Sequence, residues 1–152
     1  MRFALTDDQR ALRDAVRELL ARECPPATVR AAWPGPDADP ARVRAVWDKL
    51  AEMGVLGAAV PEEAGGLGLG ACDLVPLLEE AGRAALPLPL SETAFVAAPL
   101  LAAAGDPDGL VARIAAGEAV VAAGLDGSGM VPWAGVADAL LLAVAPGGEV
   151  RL

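Results

Sequence analysis

Between two strongly helical patterns lies the segment GVLGAAVPEEAGGLGLG, Gly54 to Gly70, with six glycines and one proline. Glycine loses more conformational freedom on folding than any other residue. A cluster this dense marks backbone that must turn sharply or approach something closely. The segment invites a phosphate-cradle reading, but its context rejects one. It lacks the Gly-Lys-Ser/Thr ending of a P-loop, and it does not lead from a strand into a helix as a dinucleotide fingerprint must. The spacing instead predicts a structured connection that brings backbone close to a neighbouring part of the fold.

The flanks define the rest. Thr6 and Gln9 form a capping box, after which Leu12, Val16, Leu19 and Leu20 share a helical face until Cys24-Pro25-Pro26. Ala27 to Trp33 predicts a short helix closed by Pro34-Gly35-Pro36. Asp39-Pro40 opens the next helix, with Val43, Val46, Trp47 and Leu50 as its stripe and Gly54 as a left-handed stop. Asp73 reads as the cap of a fourth helix, placing Pro76 in its first turn, with Leu74, Leu77, Leu78 and Ala81 inward. After Pro87 and Pro89, Ser91 reads as the cap of a fifth helix to about Ala104. Asp106-Pro107 starts a short sixth, ending near Gly117.

The pattern changes at Glu118. Ala119 to Ala123 and Leu140 to Val144 predict strands, Pro146-Gly147-Gly148 a turn, and Glu149 to Leu152 a returning strand. The expected fold is mainly α: an N-terminal bundle of about six helices over residues 1–117, then a short, partial β domain over 118–152.

Composition narrows the function. Apolar residues make up 55% of the chain, so apolar surface is expected to meet another chain or a further part of this one. A net charge of -9 argues against a nucleic-acid or anionic-membrane partner. No window approaches the ~18 uninterrupted apolar residues of a membrane span, and the N-terminus is too charged for a signal peptide, which predicts a cytoplasmic protein. Cys24 and Cys72 read as reduced, small apolar residues without metal-ligand company. The chain has no histidine and no tyrosine, which removes Ser-His-Asp and Cys-His catalysis, tyrosine acids and histidine metal sites.

Five blocks in order carry a family resemblance: Leu5 to Glu23, Trp47 to Gly70, Leu74 to Leu90 with its Glu-Glu-x-Gly-Arg ending, Gly105 to Leu125, and Met130 to Val144. Together the sequence resembles the acyl-CoA dehydrogenase family, through its N-terminal helical domain and the entry to its β domain. The resemblance implies FAD as cofactor and an acyl-CoA or acyl-thioester substrate oxidised to the 2,3-enoyl product. In the family a glutamate removes the α-proton while the β-hydride passes to flavin N5. That base lies in a C-terminal helical domain to which nothing here aligns, so no catalytic residue and no metal ligand is assigned. Only Asp126-Gly127-Ser128-Gly129 stands where the family has a longer segment with flavin-bonding residues, so independent FAD binding is not implied.

Carried over residue by residue, Met130, Val131 and Pro132 align beside the flavin ring; a short core strand is the competing reading. Ser91, Glu92, Phe95 and Val96 begin the helix lining the acyl pocket, or form a helix cap followed by core residues. Glu79 and Glu80 read as a solvated helix face, and Arg83 as a surface salt bridge. Two functions stand: a part or subunit of a FAD-dependent acyl-CoA dehydrogenase-like oxidoreductase, not active alone, or a non-catalytic structural partner in such an assembly. Either implies a homologous dehydrogenase subunit or a homo-oligomer as partner.

Overall fold

Thr6 begins the first helix as its spacing predicts. Its hydroxyl accepts from the Gln9 N–H at 3.2 Å, while Gln9 Oε1 accepts from the Thr6 N–H at 2.8 Å. The computed structural model describes residues 4–106, 108–125, 130–143 and 150–151, the last pair by backbone alone. Pro107, the Asp126–Gly129 tetrapeptide and the Pro146-Gly147-Gly148 turn lie outside the described residues. The chain divides into two compact units, residues 1–50 with 70–88, and residues 51–69 with 89–152.

The first unit is helical. α1 (Asp7–Glu23) packs on α4 (Ala71–Arg83), with α2 (Pro26–Ala31) and most of α3 (Pro40–Glu52) completing it. Its buried side chains include Val16, Leu20, Val46, Trp47, Leu50 and Leu77, the stripes set by helical periodicity. Polar ties cross between helices. Gln9 Nε2 donates to Asp73 Oδ1, joining the N-terminal caps of α1 and α4. Thr28 on α2 is buried; its hydroxyl donates to the Glu23 carbonyl and accepts from Arg42 Nε at 2.9 Å. Asp39 caps α3 by accepting from the Arg42 N–H at 3.0 Å.

α4 starts three residues earlier than the sequence predicts. Gly70 is its cap, and the Asp73 carboxylate reaches back to the Gly70 N–H at 2.9 Å. Asp73 is therefore the inward partner of the cap, and Pro76 stands inside the helix rather than in its first turn. Its missing N–H deprives only the carbonyl of Cys72, on an exposed turn. At the other end Ala85 takes φ +48°, with the Ala85 N–H on the Gly82 carbonyl and the Leu86 N–H on the Ala81 carbonyl. This is a Schellman ending made without the usual glycine, invisible to a search for glycine.

In the second unit the glycine-rich segment folds on itself. Two short 3-10 turns, Val55–Gly57 and Glu62–Ala64, are followed by a return in which four successive N–H groups find internal acceptors. Gly66 bonds Pro61, Leu67 bonds Gly57, Gly68 bonds Val60 and Leu69 bonds Ala58, at 2.8 to 3.2 Å. With those donors occupied, the glycine-rich return does not offer them to a phosphate. Gly66 makes the return possible: a Cβ there would lie 2.1 Å from the Val60 carbonyl oxygen and 2.6 Å from that of Gly57.

A π-helical segment, Ser91–Ala97, runs directly into α5 (Ala98–Ala103), so the fifth helix exists but is wound more widely at its start. The Ala98 N–H reaches back to Thr93. The wide turn precedes Pro99, whose ring crowds the carbonyl four residues upstream in a regular α-helix. Asp106 holds the start of α6 (Leu110–Ala115), accepting from the Leu110 N–H at 2.7 Å. The sheet has the order β1 (Val121–Gly124), β2 (Ala139–Ala143), β3 (Val150–Arg151), with β1 parallel to β2 and β3 antiparallel to β2. Val60, Ala97, Leu101, Val111, Ile114 and Val121 share one core. The expected mainly helical fold with a short β segment is what the structure has.

Gly66→Ala is expected to cost at least about 3 kcal/mol, because backbone and not a flexible side chain occupies the space. Gly65→Ala, at φ +85° with open space around it, is expected to cost about 1–2 kcal/mol from backbone conformation alone. Urea unfolding of the two variants checks the order.

Candidate functional site

β1 organises the region to which the resemblance points. The π-helical segment packs against it, turning Thr93, Ala94 and Ala97 fully inward and leaving Ser91, Glu92, Phe95 and Val96 half-buried. The four substrate candidates thus share the outer side of one wide helical turn. Ser91 is not the cap: Leu90 before it is already helical, and the Ser91 hydroxyl donates to Glu92 Oε2 at 2.7 Å. The residue that anchors the turn is Thr93, whose buried hydroxyl donates to the Val121 carbonyl at 2.8 Å. A threonine inside a helix carries no local signal of a partner 28 residues away, so this tie is not legible in the sequence.

The three cofactor candidates lie at the far end of β1. Met130 and Val131 lie outside any strand, and Pro132 with Trp133 makes a turn into a short 3-10 helix, Ala134–Val136. The short core strand that is the competing reading for Met130 to Pro132 does not form there, whereas the strand predicted from Leu140 does, as a strand beginning at Ala139. Asp138 fixes its start beside β1, accepting from the Val120 N–H at 2.8 Å while its own N–H donates to the Val120 carbonyl. Gly124 lets Val131 lie across the strand end: a Cβ on Gly124 would stand 2.7 Å from a Val131 methyl and 3.2 Å from Leu142. Met130 is 78% exposed and Val136 64% exposed, and Trp133 takes φ +66°. A bulky residue in the left-handed region carries backbone strain.

Glu79 and Glu80 part company. Glu79 is exposed, but Glu80 is buried, which corrects its reading as a solvated residue. Arg17 of α1 grips it from two nitrogens, at 2.7 and 3.1 Å, and Arg83 adds a third contact at 3.0 Å. The groups covering the carboxylate are thus guanidiniums that themselves reach water. The Arg17 hydrogen bond is the main force holding the Glu80 carboxyl below the usual range, with burial opposing it. The same bond raises the Arg17 guanidinium. This is a fully paired structural cluster, not an acid or base awaiting a substrate. Among the described residues no group of three or more His, Cys, Asp or Glu is arranged to hold a metal ion, and no helix is long and apolar enough to cross a membrane.

The fit to FAD is one-sided. The Met130 to Val136 face offers apolar surface to a flat ring. The pyrophosphate of a dinucleotide needs cations or free backbone donors. The second unit carries only Arg113 and Arg151 as cations, and the donors of its glycine-rich return are occupied. The residues here fit one wall of a flavin site and not a complete one.

The comparisons agree with this architecture. The chain belongs to the acyl-CoA dehydrogenase family: the model described as "Acyl-CoA dehydrogenase, N-terminal domain" matches residues 6–109. Among curated proteins it is 35% identical to acyl-CoA dehydrogenase IpdE2 of Mycobacterium tuberculosis, over 79% of this chain and 37% of that protein. It is 34% identical to acyl-CoA dehydrogenase FadE34 of the same organism, over 97% of this chain and 21% of that protein. The chain thus spans well under half the length of these relatives. Among solved structures, the Tcur3481-Tcur3483 steroid ACAD superposes with a TM-score of 0.74 at 28% identity, over 93% of this chain and 46% of that one. The ChsE4-ChsE5 complex of Mycobacterium tuberculosis superposes with a TM-score of 0.64 at 28% identity, over 82% and 32%.

Because the native Glu80 carboxyl has a depressed pKa, its contribution is present above the ordinary glutamate value of ~4.3 and is lost as pH falls through the native value. Glu80→Gln is expected to cost on the order of 1–3 kcal/mol at neutral pH. The gap to the unaltered chain is expected to close as the solution is acidified below that range. Urea midpoints measured across pH check this; a gap independent of pH contradicts the assignment.

Proposed function

We propose that this chain is part or a subunit of a FAD-dependent acyl-CoA dehydrogenase-like oxidoreductase, one that performs α,β-dehydrogenation of an acyl thioester. In this reading residues 1–117 form its helical domain and 118–152 the opening of its β domain. The observation that carries the reading is the apolar, strained face at Met130 to Val136, across the end of β1. It stands where the family resemblance puts the flavin, and the half-buried Ser91, Glu92, Phe95 and Val96 belong to the turn packed on the same strand.

This chain's residues would position and exclude water rather than transfer protons. Met130, Val131 and Pro132 would form an apolar wall against the ring, and Phe95 with Val96 would line the acyl chain. Bound FAD would supply the redox chemistry. A base near the substrate α-carbon is required, and no carboxylate described at this face is placed for it. Glu92 is engaged by Ser91, and Asp138 by the Val120 N–H. The base is therefore assigned to a further stretch of polypeptide or a partner.

A second reading is favoured by the two-protein names of the ChsE4-ChsE5 and Tcur3481-Tcur3483 structures. The chain would then be a non-catalytic partner that completes a homologous subunit's site across an interface. Visible spectra test the assignment that both readings share. The purified chain alone is expected to show no flavin absorbance, and a complex with a homologous dehydrogenase subunit is expected to show it. Stoichiometric flavin on the chain alone, or acyl-CoA turnover by it, would overturn the assignment of the missing groups to another polypeptide.

A further inference from the structure

The first unit carries a groove that the dehydrogenase reading does not use. It lies between the C-terminal half of α1, α2 and the end of α4, and encloses about 550 Å³. Leu20, Cys24 and Val29 line its floor. Burial pushes the Cys24 thiol above its ordinary pKa, so it is a neutral part of that floor rather than a nucleophile. The rim is cationic and aromatic: Arg30 and Arg83 are exposed, and Trp33 is 63% exposed.

Charge identifies what such a groove accepts. Glu80 is the one carboxylate among its lining residues, and both Arg17 and Arg83 face it. Asp14 also approaches Arg17, at 3.7 Å, but is itself paired with Arg13, so the cluster retains one positive charge, and Arg30 adds another. Arg83 meets Glu80 through Nε, and a guanidinium has four further N–H donors for a second acid. A cationic rim on a chain of net charge -9 is a local inversion, complementary to an acidic partner. Exposed tryptophan and arginine around an apolar cleft is also the composition of protein-binding hot spots. A small amphipathic acid would need most of its surface enclosed, whereas the exposed Trp33 and Arg30 leave one side open to a longer chain.

We propose that this groove docks an acidic, apolar-anchored peptide segment of a partner protein. An aliphatic or aromatic side chain occupies the floor beside Leu20 and Val29. Flanking carboxylates meet Arg30 and Arg83, and Trp33 covers the segment. The proposal is independent of flavin or thioester chemistry.

Fluorescence anisotropy on the full chain tests it. The probe is a short fluorescein-labelled peptide of Asp, Glu, Leu and Phe. One control replaces its acids by Lys and another replaces Leu and Phe by Ser. The acidic apolar peptide is expected to bind saturably and to weaken with salt, and both controls at least about tenfold less tightly, a difference of ~1.4 kcal/mol. Arg30→Glu and Trp33→Ala, both at exposed positions, are each expected to weaken binding by a similar factor with an unchanged far-ultraviolet circular dichroism spectrum. Failure of the peptide to bind, equal binding of either control, or full affinity in folded variants would overturn the proposal. Displacement of the peptide by decanoate at stoichiometric concentration would assign the groove to a small acid instead. The peptide comparison on the unaltered chain stays decisive if a variant does not fold.

Discussion

The core of the second unit depends on one backbone approach: Gly66 lying against the carbonyls of Val60 and Gly57, where no side chain fits. That approach closes the return of the glycine-rich segment, pairs four consecutive N–H groups and leaves Val55, Leu56 and Val60 fully buried. Val60 then enters the same core as Ile114 of α6, Ala97 of the π-helical segment and Val121 of β1. Gly57 also allows close packing, since a Cβ there would stand 3.2 Å from that of Ala115. A dense glycine cluster thus does structural work. It trades conformational entropy for a backbone-on-backbone contact that holds the platform under the candidate site.

The two units are stabilised by different means. The second is an alanine- and valine-rich core with buried polar ties at Thr93 and the main-chain clamp of Asp138. The first adds charged and polar cross-links to its helical stripes, from Gln9 to Asp73, from Arg42 to Thr28, and from Arg17 and Arg83 to Glu80. All but two of the chain's cations lie in that first unit or its N-terminal residues. The same distribution limits what the second unit can do with a phosphate-bearing cofactor, and gives the first its cationic rim.

Features governed by nearest neighbours were legible in the sequence. The Thr6-Gln9 box, the Asp39 cap, the Gly54 stop and the buried stripe of α3 all follow from local spacing. Where a distant partner decides, the spacing misled. Asp73 resembles a cap because acids favour that position, but Gly70 starts the helix and Gln9 of α1 meets the Asp73 carboxylate. Glu80 resembles a surface acid until Arg17, 63 residues earlier, covers it. Ala85 adopts a left-handed ending that normally announces itself with glycine. At the candidate site the parallel pairing of β1 with β2 was only half legible. Two apolar runs predict strands, but neither says that Met130 to Pro132 leaves the ladder and that Trp133 turns away from it.

The glycine-rich segment is a closed scaffold and not a ligand loop. Native-state amide exchange at Leu67, Gly68 and Leu69 tests this most directly. Protection comparable to that of Leu141, unchanged when CoA or ADP is added, is the expected result. Rapid exchange of those amides in the folded chain, or protection that appears only with the added phosphate ligand, would contradict it.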